Sequence, residues 1–566
     1  MGADSTITSM KANVFGDGRA EYDHAMLSQA FYEGQDYKTL FEDPDRFVVV
    51  GRRGTGKSAL TYQLQKDWIA KNSRVILVAP TEQEVIGMRP TASLFGETVT
   101  RVRAGMKLAW RYAILVEIAA ALASNYKHRK LVERNDLLAE HIRRWQAMSG
   151  GVTDKLRLTL RDTLRSSDSS EDRIADISAF LSLNKITEQV SLVVEESGQH
   201  LVMLIDRLDE GYESDQVGIG IVDGILYAVE DVKNILQQAF RPLVFVRDNI
   251  LRAIQIEDKD FSRNLEAQVV RLHWDPEELF HLAARRIRAA LGVDKENDGK
   301  VWNAVTSNEL HGRDGFKRCL QLTLYRPRDL ISLLNTAYYR ARRQNRETLI
   351  DDDFRASAKE ISINRLTDLS NEYESVFPGV GDYTSRFANL ESPRLTVQEA
   401  ANIIDVLAGS ATFAASALQH FRIVGESMGV LSALYGIGFL GFQDREHQSF
   451  VFSHDGRTPK RSLVGEDVVM VHPCYWEALG LKDALDENSA QEIFDEYEVK
   501  ITSESTEQRR NALGQIIAEI NTIPRGVEGA EHFEDWCKRA VEIAFARQLA
   551  NVQLKPKETL NKYCGR

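Results

Sequence analysis

The chain is poor in cysteine and proline, and it has no hydrophobic run long enough to cross a bilayer. Its 566 residues include 4 cysteines and 12 prolines. The cysteines are scattered as Cys319, Cys474, Cys537 and Cys564. Without a CxxC pair they exclude a disulfide scaffold and a zinc finger, and they fit a reducing compartment. The most apolar stretch, Tyr112 to Ala123, is too short for a membrane span and contains Glu117.

Charge and length narrow the class of protein further. The chain has 83 acidic and 71 basic residues, which gives a net charge of −12. Such a chain is a poor non-specific binder of nucleic acid, although one basic face is compatible with this total. The opening residues lack the basic and apolar pattern of a signal peptide, so we expect a cytoplasmic protein with no membrane partner. The length exceeds what one core usually supports, which predicts three or four domains.

Five short apolar runs, separated by helical patterns, dominate the first half of the chain. They are Arg46–Val50, Arg74–Val78, His200–Ile205, Pro242–Val246 and Gln268–Leu272. Continuous apolar runs of this length are typical of strands buried on both faces of a parallel sheet. Strands that alternate with helices predict an α/β fold with a doubly wound sheet.

The spacing of the patterns predicts five regions. They are an N-terminal helical segment at 1–45, an α/β core at 46–274 with a helical insertion at about 81–196, a helical lid at 275–392, a winged-helix domain at 393–481, and a helical C-terminal region at 482–566. Within the insertion, the polar stretch from Gly150 to Arg173 predicts a loop. Asp275-Pro276 predicts the start of the first lid helix, since aspartate caps helices and proline is favoured at the first helical position.

One motif carries specific chemistry. Its residues are Gly51, Arg52, Arg53, Gly54, Thr55, Gly56, Lys57 and Ser58, which match G-x-x-x-x-G-K-[ST]. In this pattern the backbone N–H groups surround the β-phosphate of a nucleotide, Lys57 reaches the β- and γ-phosphates, and the Ser58 hydroxyl ligates Mg²⁺. A chance glycine-rich turn is the alternative, but the motif lies between a predicted strand and a predicted helix, as nucleotide binding requires.

A second element supplies carboxylates. Asp206 directly follows the third apolar run, and at this position it can hold Mg²⁺ through water. Asp209 and Glu210 follow, and a carboxylate beside the γ-phosphate can orient and deprotonate the attacking water. Glu210 is the first choice for this catalytic base and Asp209 the second. The alternative is that both residues only cap a loop.

Further polar residues lie at the fourth strand and in the lid. Arg247, Asp248 and Asn249 directly follow the fourth apolar run. Asn249 or Asp248 is a candidate γ-phosphate sensor, and Arg247 is a candidate phosphate ligand. An ordinary polar strand end is the alternative. In the lid, Arg326 and Arg328 begin a predicted helix and are candidates to contact the phosphates, with surface salt bridging as the alternative.

The motifs in this order resemble a bacterial STAND-type or origin-recognition-like P-loop ATPase, over residues 15–480. The Asp206–Glu210 element, in particular, is similar to the second motif of NACHT-like signalling ATPases. The resemblance implies a P-loop NTPase fold, ATP or ADP and Mg²⁺ as cofactors, and slow ATP hydrolysis. It also implies a switch that couples nucleotide state to a protein effector or sensor partner, in bacterial defence signalling.

His472 is a candidate for holding the closed state of such a switch. In STAND proteins a winged-helix histidine contacts the β-phosphate of ADP. Here the local sequence is Met470-Val471-His472-Pro473, which does not match that family's M-H-D motif literally. The alternative is a structural histidine that caps the following helix.

Two other functions remain open at this stage. One is a DNA-handling ATPase of the loader or origin-recognition type. The predicted winged helix is acidic, since Arg394 to Lys482 contains 7 basic and 9 acidic residues, and this counts against DNA as its ligand. The other is a regulatory module that binds nucleotide without hydrolysing it. Self-association and the choice between ATP and GTP are also left open.

The C-terminal region has one weak signal. Residues 526–534 begin an amphipathic pattern that resembles the first helix of restriction-nuclease-like domains. The Asp and the Glu-x-Lys pair that such a domain needs do not follow within the chain. We therefore expect no nuclease activity from this chain, and either the start of a truncated effector domain or a helix that only packs.

Overall fold

The structure is a computed structural model. It describes residues 13–164, 169–411, 413–444, 449–454, 463–481, 493–495, 514, 516–524 and 529–544. The chain divides into two compact units, which are described separately. Unit 1 comprises Met1–Asp444 and Gln448–Ile493, and unit 2 comprises Arg445–His447 and Phe494–Arg566.

The regular elements alternate in the first half and become mainly helical in the second. The strands are β1 (Val48–Gly51), β2 (Arg74–Val78), β3 (Leu201–Ile205), β4 (Phe240–Arg247), β5 (Val269–Arg271), β6 (Arg394–Thr396), β7 (Leu440–Gln443), β8 (Phe450–Phe452), β9 (Val468–Val471) and β10 (Ile493–Asp495). The helices are α1 (His24–Ala30), α2 (Gln35–Glu42), α3 (Lys57–Ala70), α4 (Glu82–Ala92), α5 (Val99–Ala123), α6 (Arg129–Glu133), α7 (Asp136–Ala147), α8 (Val152–Thr163), α9 (Ser170–Phe180), α10 (Leu183–Ser197), α11 (Gln216–Leu236), α12 (Asp248–Glu257), α13 (Phe261–Asn264), α14 (Pro276–Leu291), α15 (Asp298–Val305), α16 (Gly312–Leu320), α17 (Pro327–Arg343), α18 (Asp351–Tyr373), α19 (Val380–Ser385), α20 (Val397–Ala408), α21 (Ala415–Val424), α22 (Glu426–Gly436), α23 (Trp476–Leu479) and α24 (Ala530–Ala544). Across the described ranges, no helix combines the length and the apolar character that a bilayer crossing needs.

The core of unit 1 is a five-stranded parallel sheet with the strand order β2-β3-β4-β1-β5. All five strands coincide with the predicted apolar runs to within two residues, so the predicted α/β fold of a P-loop NTPase is confirmed. β1 lies between β4 and β5, with Val48 opposite both Val244 and Val269. Because the strands are parallel, the segments that follow β1, β3 and β4 emerge at the same edge of the sheet, where ligands bind in open α/β folds.

The strands are apolar throughout because helices cover both faces. Successive β1 side chains point to opposite faces. Val48 and Val50 pack in one hydrophobic cluster with the insertion helices, whereas Val49 packs in another with Leu64 and Trp68 of α3. A polar substitution on either face of β1 would therefore be buried.

Helices α4 to α10 lie between β2 and β3, in the region predicted to be a helical insertion, and α5 packs closely on α11. Two glycines of α11 permit this approach. A Cβ on Gly220 would lie 2.7 Å from the Val102 Cβ, and a Cβ on Gly224 would lie 2.8 Å from the Met106 Cβ. Any larger side chain at these two glycines would separate the insertion from the helix that flanks the sheet.

The loop predicted for residues 150–173 was wrong. The structure has α8 and α9 in this stretch. Leu156 and Leu160, four residues apart on one face of α8, are fully buried in the insertion. Two buried leucines at helical spacing stabilise α8 through packing, although its remaining residues are mostly polar.

The lid begins where the sequence predicts. The Asp275 carboxylate accepts a hydrogen bond of 2.8 Å from the Glu278 amide, and Pro276 is the first residue of α14. The region predicted as the lid contains α14 to α19, and the last of these helices ends at Ser385, within the predicted range of 275–392. Its core is continuous with the region that follows.

Three helices and a small antiparallel sheet follow the lid. The helices α20 to α22 precede β7, β8 and β9, and the strand order is β8-β7-β9-β6. β6 has three residues and was not predicted. This order of elements is the one expected of a winged helix, which remains a prediction for this region.

Unit 2 is described only in part. In α24 the Trp536 Nε1 donates to the Ile516 carbonyl at 2.8 Å, and Arg539 pairs with Glu519 at 2.7 Å. These contacts show a helix that packs within its own unit. The predicted helix start at 526–528 and its continuation beyond 544 lie outside the described residues, and the nuclease expectation stays untested.

Candidate nucleotide-binding site

The loop between β1 and α3 has the backbone shape that the motif requires. Gly54 and Gly56 have φ values of +89° and +96°, in the left-handed region that only glycine adopts without strain. The Thr55 hydroxyl donates to the Arg52 carbonyl at 2.8 Å, and Trp274 Nε1 donates to the Thr55 carbonyl at 2.9 Å. These bonds hold the loop curled at the first turn of α3, where N–H groups and the helix dipole favour an anion.

Lys57 lies inside this loop. Its Nζ donates to the Gly51 carbonyl at 2.6 Å and to the Arg52 carbonyl at 3.2 Å. Burial lowers the pKa of the Lys57 ammonium to about 8, and the neighbouring Asp209 only partly opposes this shift. A phosphate that approached Lys57 would stabilise the ammonium form.

This pKa makes nucleotide affinity pH-dependent. Anion binding favours protonated Lys57, so affinity should fall once the free site loses its proton above about pH 8. We expect affinity for ATP to fall about tenfold between pH 7 and pH 9, because the protonated fraction falls by that factor when the pKa is near 8. Fluorescence titration with a labelled nucleotide would measure this, and Lys57→Arg, whose guanidinium stays charged, should flatten the profile. A flat profile in the parent protein would contradict the expected titration of Lys57.

Asp206 directly follows β3, beside the loop. Burial raises the pKa of its carboxyl group, although the Arg207 amide donates to Oδ1 at 2.9 Å. Its other oxygen, Oδ2, accepts a hydrogen bond of 3.3 Å from the Thr61 hydroxyl of α3. Asp206 and Ser58 line the same cavity.

A protein usually supplies only one or two of the ligands of nucleotide-bound Mg²⁺, and the Asp206 carboxylate and the Ser58 hydroxyl are suitable for this role. This ion prefers oxygen ligands and takes most of them from phosphates and water. Within the described part of the chain, no three His, Cys, Asp or Glu side chains converge as a metal site. A magnesium ion here would depend on a bound nucleotide for its remaining ligands.

The two carboxylates after β3 have different surroundings. Asp209 forms an ion pair with Arg247 at the end of β4, and its side chain is largely buried. Glu210 is more exposed, and its nearest cation, Arg207, lies 3.9 Å away. Burial raises the pKa of Glu210. Glu210 is therefore freer than Asp209 to accept a proton from water.

A cavity of about 320 Å³ lies in front of the loop. Charged and polar side chains in its lining include Lys57, Ser58, Asp206, Asp209, Glu210, Arg247 and Arg328. Apolar and aromatic side chains in its lining include Leu27, Phe31, Tyr32, Leu272, Trp274, Leu282 and Ile331. A cavity with both kinds of lining suits a ligand with a polyanionic part and a flat apolar part.

The segment before α1 closes one side of the cavity. Residues 17–21 line it, and buried contacts with the lid hold this segment in place. Arg286 donates to the Phe15 carbonyl and to Asp23, at 2.8 and 2.7 Å, and Asn335 accepts from the Phe15 amide at 2.9 Å. Sequence reasoning missed Arg286 and Asn335. Both are polar residues on the apolar face of a predicted lid helix, and this position could have indicated a buried polar contact.

The structure separates the two lid arginines. Arg328 lines the cavity, its amide donates to the Gly54 carbonyl at 3.3 Å, and its Nε donates to the Gly18 carbonyl at 3.0 Å. Arg326 is buried behind the loop, where it donates to the Arg53 carbonyl at 3.1 Å, and it does not line the cavity. Of these two lid arginines, Arg328 is the one placed to meet a phosphate in this conformation.

The two arginines of the motif also point away from each other. The Arg52 side chain, 2% exposed, donates to the Ser453 carbonyl at 3.2 Å and to the Gly436 carbonyl. Arg53 is half-exposed and pairs with Asp368 of α18 at 3.1 Å. Each of them therefore ties the loop to a different region of unit 1.

The predicted sensors at the end of β4 face the lid rather than the cavity. Asp248 is fully buried between Arg252, at 2.7 Å, and Arg271, at 3.0 Å, and Arg252 is the principal cation that keeps the Asp248 pKa low despite burial. Asn249 donates to the Glu372 carbonyl at 2.9 Å, and the Glu372 carboxylate accepts from the Arg53 amide at 3.3 Å. Asn249 thus reaches the loop through α18, a link that the sequence did not reveal.

His472 is not among the residues that line the cavity. Its ring is fully buried, Nδ1 accepts from the Cys474 amide at 3.1 Å, and Nε2 lies 3.1 Å from Nε2 of His454. This is the geometry of the capping alternative. The prediction that His472 contacts a nucleotide stays a prediction, and in this conformation it would require a rearrangement.

Comparison with known proteins gives matches over nearly the whole chain and over parts of it. The FunZ-associated C-terminal helical domain family matches residues 277–370, which include most of the lid. The "Putative transposon gamma-delta 80.3 kDa protein" of Escherichia coli K12 is 42% identical over 558 residues, which are 97% of this chain and 79% of that protein. "Allergen Alt a 2" of Alternaria alternata is 53% identical over 153 residues, which are 27% of this chain and 80% of that protein.

Solved structures give only a distant likeness. The Aeropyrum pernix ORC1 protein, solved in complex with DNA, is 12% identical, and the match covers 83% of this chain and 96% of that chain with a TM-score of 0.33. The Aeropyrum pernix ORC2 protein is also 12% identical, with a TM-score of 0.32 over 81% of this chain and 93% of that chain. At these scores the likeness says nothing about function.

Proposed function

The chain belongs to the family of the Escherichia coli gamma-delta transposon 80.3 kDa protein, and we propose that this member is a nucleotide-operated switch. In this proposal it binds ATP with Mg²⁺, hydrolyses it slowly, and passes the nucleotide state to the region after the lid. Lys57 and the loop hold the phosphates, Ser58 and Asp206 hold Mg²⁺, and Glu210 activates water.

One contact carries the switch proposal. Arg52 belongs to the phosphate loop, yet among the described residues its side chain donates only to two carbonyls of the region after the lid. These are Gly436 at the end of α22 and Ser453 after β8. Arg252 lies in α12, the helix that directly follows β4, and it donates to the same Gly436 carbonyl at 2.9 Å. The backbone of Arg52 is part of the phosphate loop, and its guanidinium is bonded to the region after the lid. A change in the shape of the loop would therefore displace Gly436 and Ser453, and this supports transmission of the nucleotide state to that region.

The finer parts of the proposal depend on the resemblance of the motifs. A STAND-type cycle, a protein effector and a role in bacterial defence signalling follow from that resemblance alone. The closing role of His472 belongs to the same set. Each would be tested after the nucleotide chemistry itself.

The first test is the nucleotide that the purified protein carries. We expect that denaturing the protein and separating the supernatant by ion exchange will release close to one ADP per chain, because a locked switch retains its product. The Lys57→Ala variant should release little, and it serves as the control for trapped nucleotide. An empty protein that hydrolyses Mg-ATP would support a cycling enzyme instead. A protein that neither carries nucleotide nor binds Mg-ATP would refute nucleotide binding altogether.

A DNA-handling ATPase remains the alternative. It would show ATP hydrolysis that DNA stimulates and that salt suppresses, since phosphate contacts release counterions. Hydrolysis that is indifferent to DNA would favour the switch.

A further inference from the structure

The end of α17 exposes a cluster of arginines. Arg340, Arg342 and Arg343 are all exposed, and Tyr339 beside them is 43% exposed. At 100° per residue these four side chains fall within one arc of about 160°, and the buried Ala341 faces the opposite side. We call these four residues the α17 arginine surface.

The ion pairs of the described residues do not include these three arginines. Among the described residues, no carboxylate lies within ion-pair distance of Arg340, Arg342 or Arg343. Arg346, in the following loop, contrasts with them because it binds Asp353 through two hydrogen bonds of 2.7 Å. These three guanidinium groups, which pair with no carboxylate in the described part of the chain, form a local positive surface on a chain whose net charge is −12.

The stability of a solvent-exposed helix end does not require three neighbouring arginines. A cation in the last turn stabilises a helix through the helix dipole, and one charge is enough for that. Arg340 and Arg343 are three residues apart, where like charges repel. A polyanion that neutralised all three would remove this repulsion.

We propose that the α17 arginine surface binds the phosphate backbone of nucleic acid, with a preference for single strands. Planar guanidinium groups match phosphate oxygens, and three of them can neutralise adjacent phosphates. Tyr339 adds an exposed aromatic face on which an unpaired base can stack, and the guanidinium of Arg343 lies 5.8 Å from its ring centre. This inference goes beyond the proposed switch and does not depend on ATP hydrolysis.

The test is fluorescence anisotropy with a labelled 30-nucleotide single strand and the matching duplex, both of mixed sequence. We expect the parent protein to bind the single strand in the micromolar range at 50 mM salt. Replacing the three arginines with glutamate should weaken binding at least tenfold. If all three contact phosphates, the slope of log K against log salt should fall by about 2, at roughly 0.7 per phosphate. Tyr339→Ala should weaken binding to the single strand more than to the duplex.

Two further variants separate a specific surface from general charge. Replacing all three arginines with lysine should retain most of the binding. Lys127, Lys130 and Arg143 of the insertion are also exposed, and none has an ion pair among the described residues. Changing these three to glutamate makes the same charge change elsewhere and should leave binding nearly unaltered. Circular dichroism melting and Mg-ATP binding verify that each variant is folded.

Several outcomes would overturn the proposal. No binding by the parent protein at 50 mM salt would do so, and so would equal losses in the two glutamate triples. Binding to phosphatidylserine vesicles that the arginine triple abolishes, without binding to DNA, would assign the surface to anionic lipid instead. Because ATP hydrolysis is measured separately, failure here would leave the switch proposal standing.

Discussion

Replacing Glu210 with glutamine is expected to lower the rate of ATP hydrolysis at least about a hundredfold, while ATP still binds. A general base contributes typically 10²–10⁴-fold, and glutamine keeps the size of the side chain but cannot accept the proton. The geometry favours Glu210 over Asp209 for this role, because Arg247 already pairs with the Asp209 carboxylate. Single-turnover hydrolysis with excess protein measures the chemical step, and a fluorescent nucleotide measures binding.

The chain offers a matched control for this variant. Glu21 also lines the cavity, and it binds Arg207 at 2.7 Å, the same arginine that lies nearest to Glu210. Glu21→Gln removes the same charge from the same cavity and should change hydrolysis less than tenfold. Asp209→Asn should have an intermediate effect because it releases Arg247. A Glu210→Gln variant as active as the parent would refute the assignment, and a loss only in Asp209→Asn would transfer the role of base to Asp209.

The parts of the fold that were predictable are those that local chemistry decides. β1 and β3 are continuous runs of apolar residues that only a sheet covered on both faces can bury, and Asp275-Pro276 fixes the start of α14 by capping alone. The phosphate loop was equally visible, since its glycines and Lys57 act within one turn. By contrast, α8 was missed because its stability comes from two buried leucines rather than from a strong local pattern.

The parts of the site that were not predictable depend on partners far away in the chain. The motif permits any residue at position 52, so it gives no indication that Arg52 reaches Gly436 and Ser453. In the same way, Asp248 was one of two candidates for a γ-phosphate sensor, but Arg252 and Arg271 enclose it. A strand end shows that a polar residue is present, whereas its role depends on which tertiary neighbours surround it.

Arg52 is the residue whose loss should most clearly uncouple the loop from the region after the lid. Its guanidinium is buried with carbonyl partners. Gly438 makes room for it, since a Cβ there would lie 2.7 Å from Arg52 Nη1, at a φ of +80° that disfavours other residues. Removing the side chain breaks both of these hydrogen bonds, while the Gly436 carbonyl keeps its bond from Arg252. A buried hydrogen bond from a charged donor contributes about 1.5–3 kcal/mol.

We therefore expect Arg52→Ala to bind Mg-ATP with an affinity within a few-fold of the parent, because this side chain does not line the cavity. Hydrogen exchange should show the uncoupling. In the parent, amides of residues 436–443 should exchange at different rates with ATP and with ADP, and in Arg52→Ala this difference should disappear.

Arg53→Ala removes the neighbouring, half-exposed arginine of the same loop and should preserve the difference. Arg52→Lys separates charge from geometry, because one ammonium cannot reproduce the two donors directed at Gly436 and Ser453. A nucleotide-dependent difference that survives in Arg52→Ala would mean that the signal leaves the loop by another route, such as the Arg53–Glu372–Asn249 contacts.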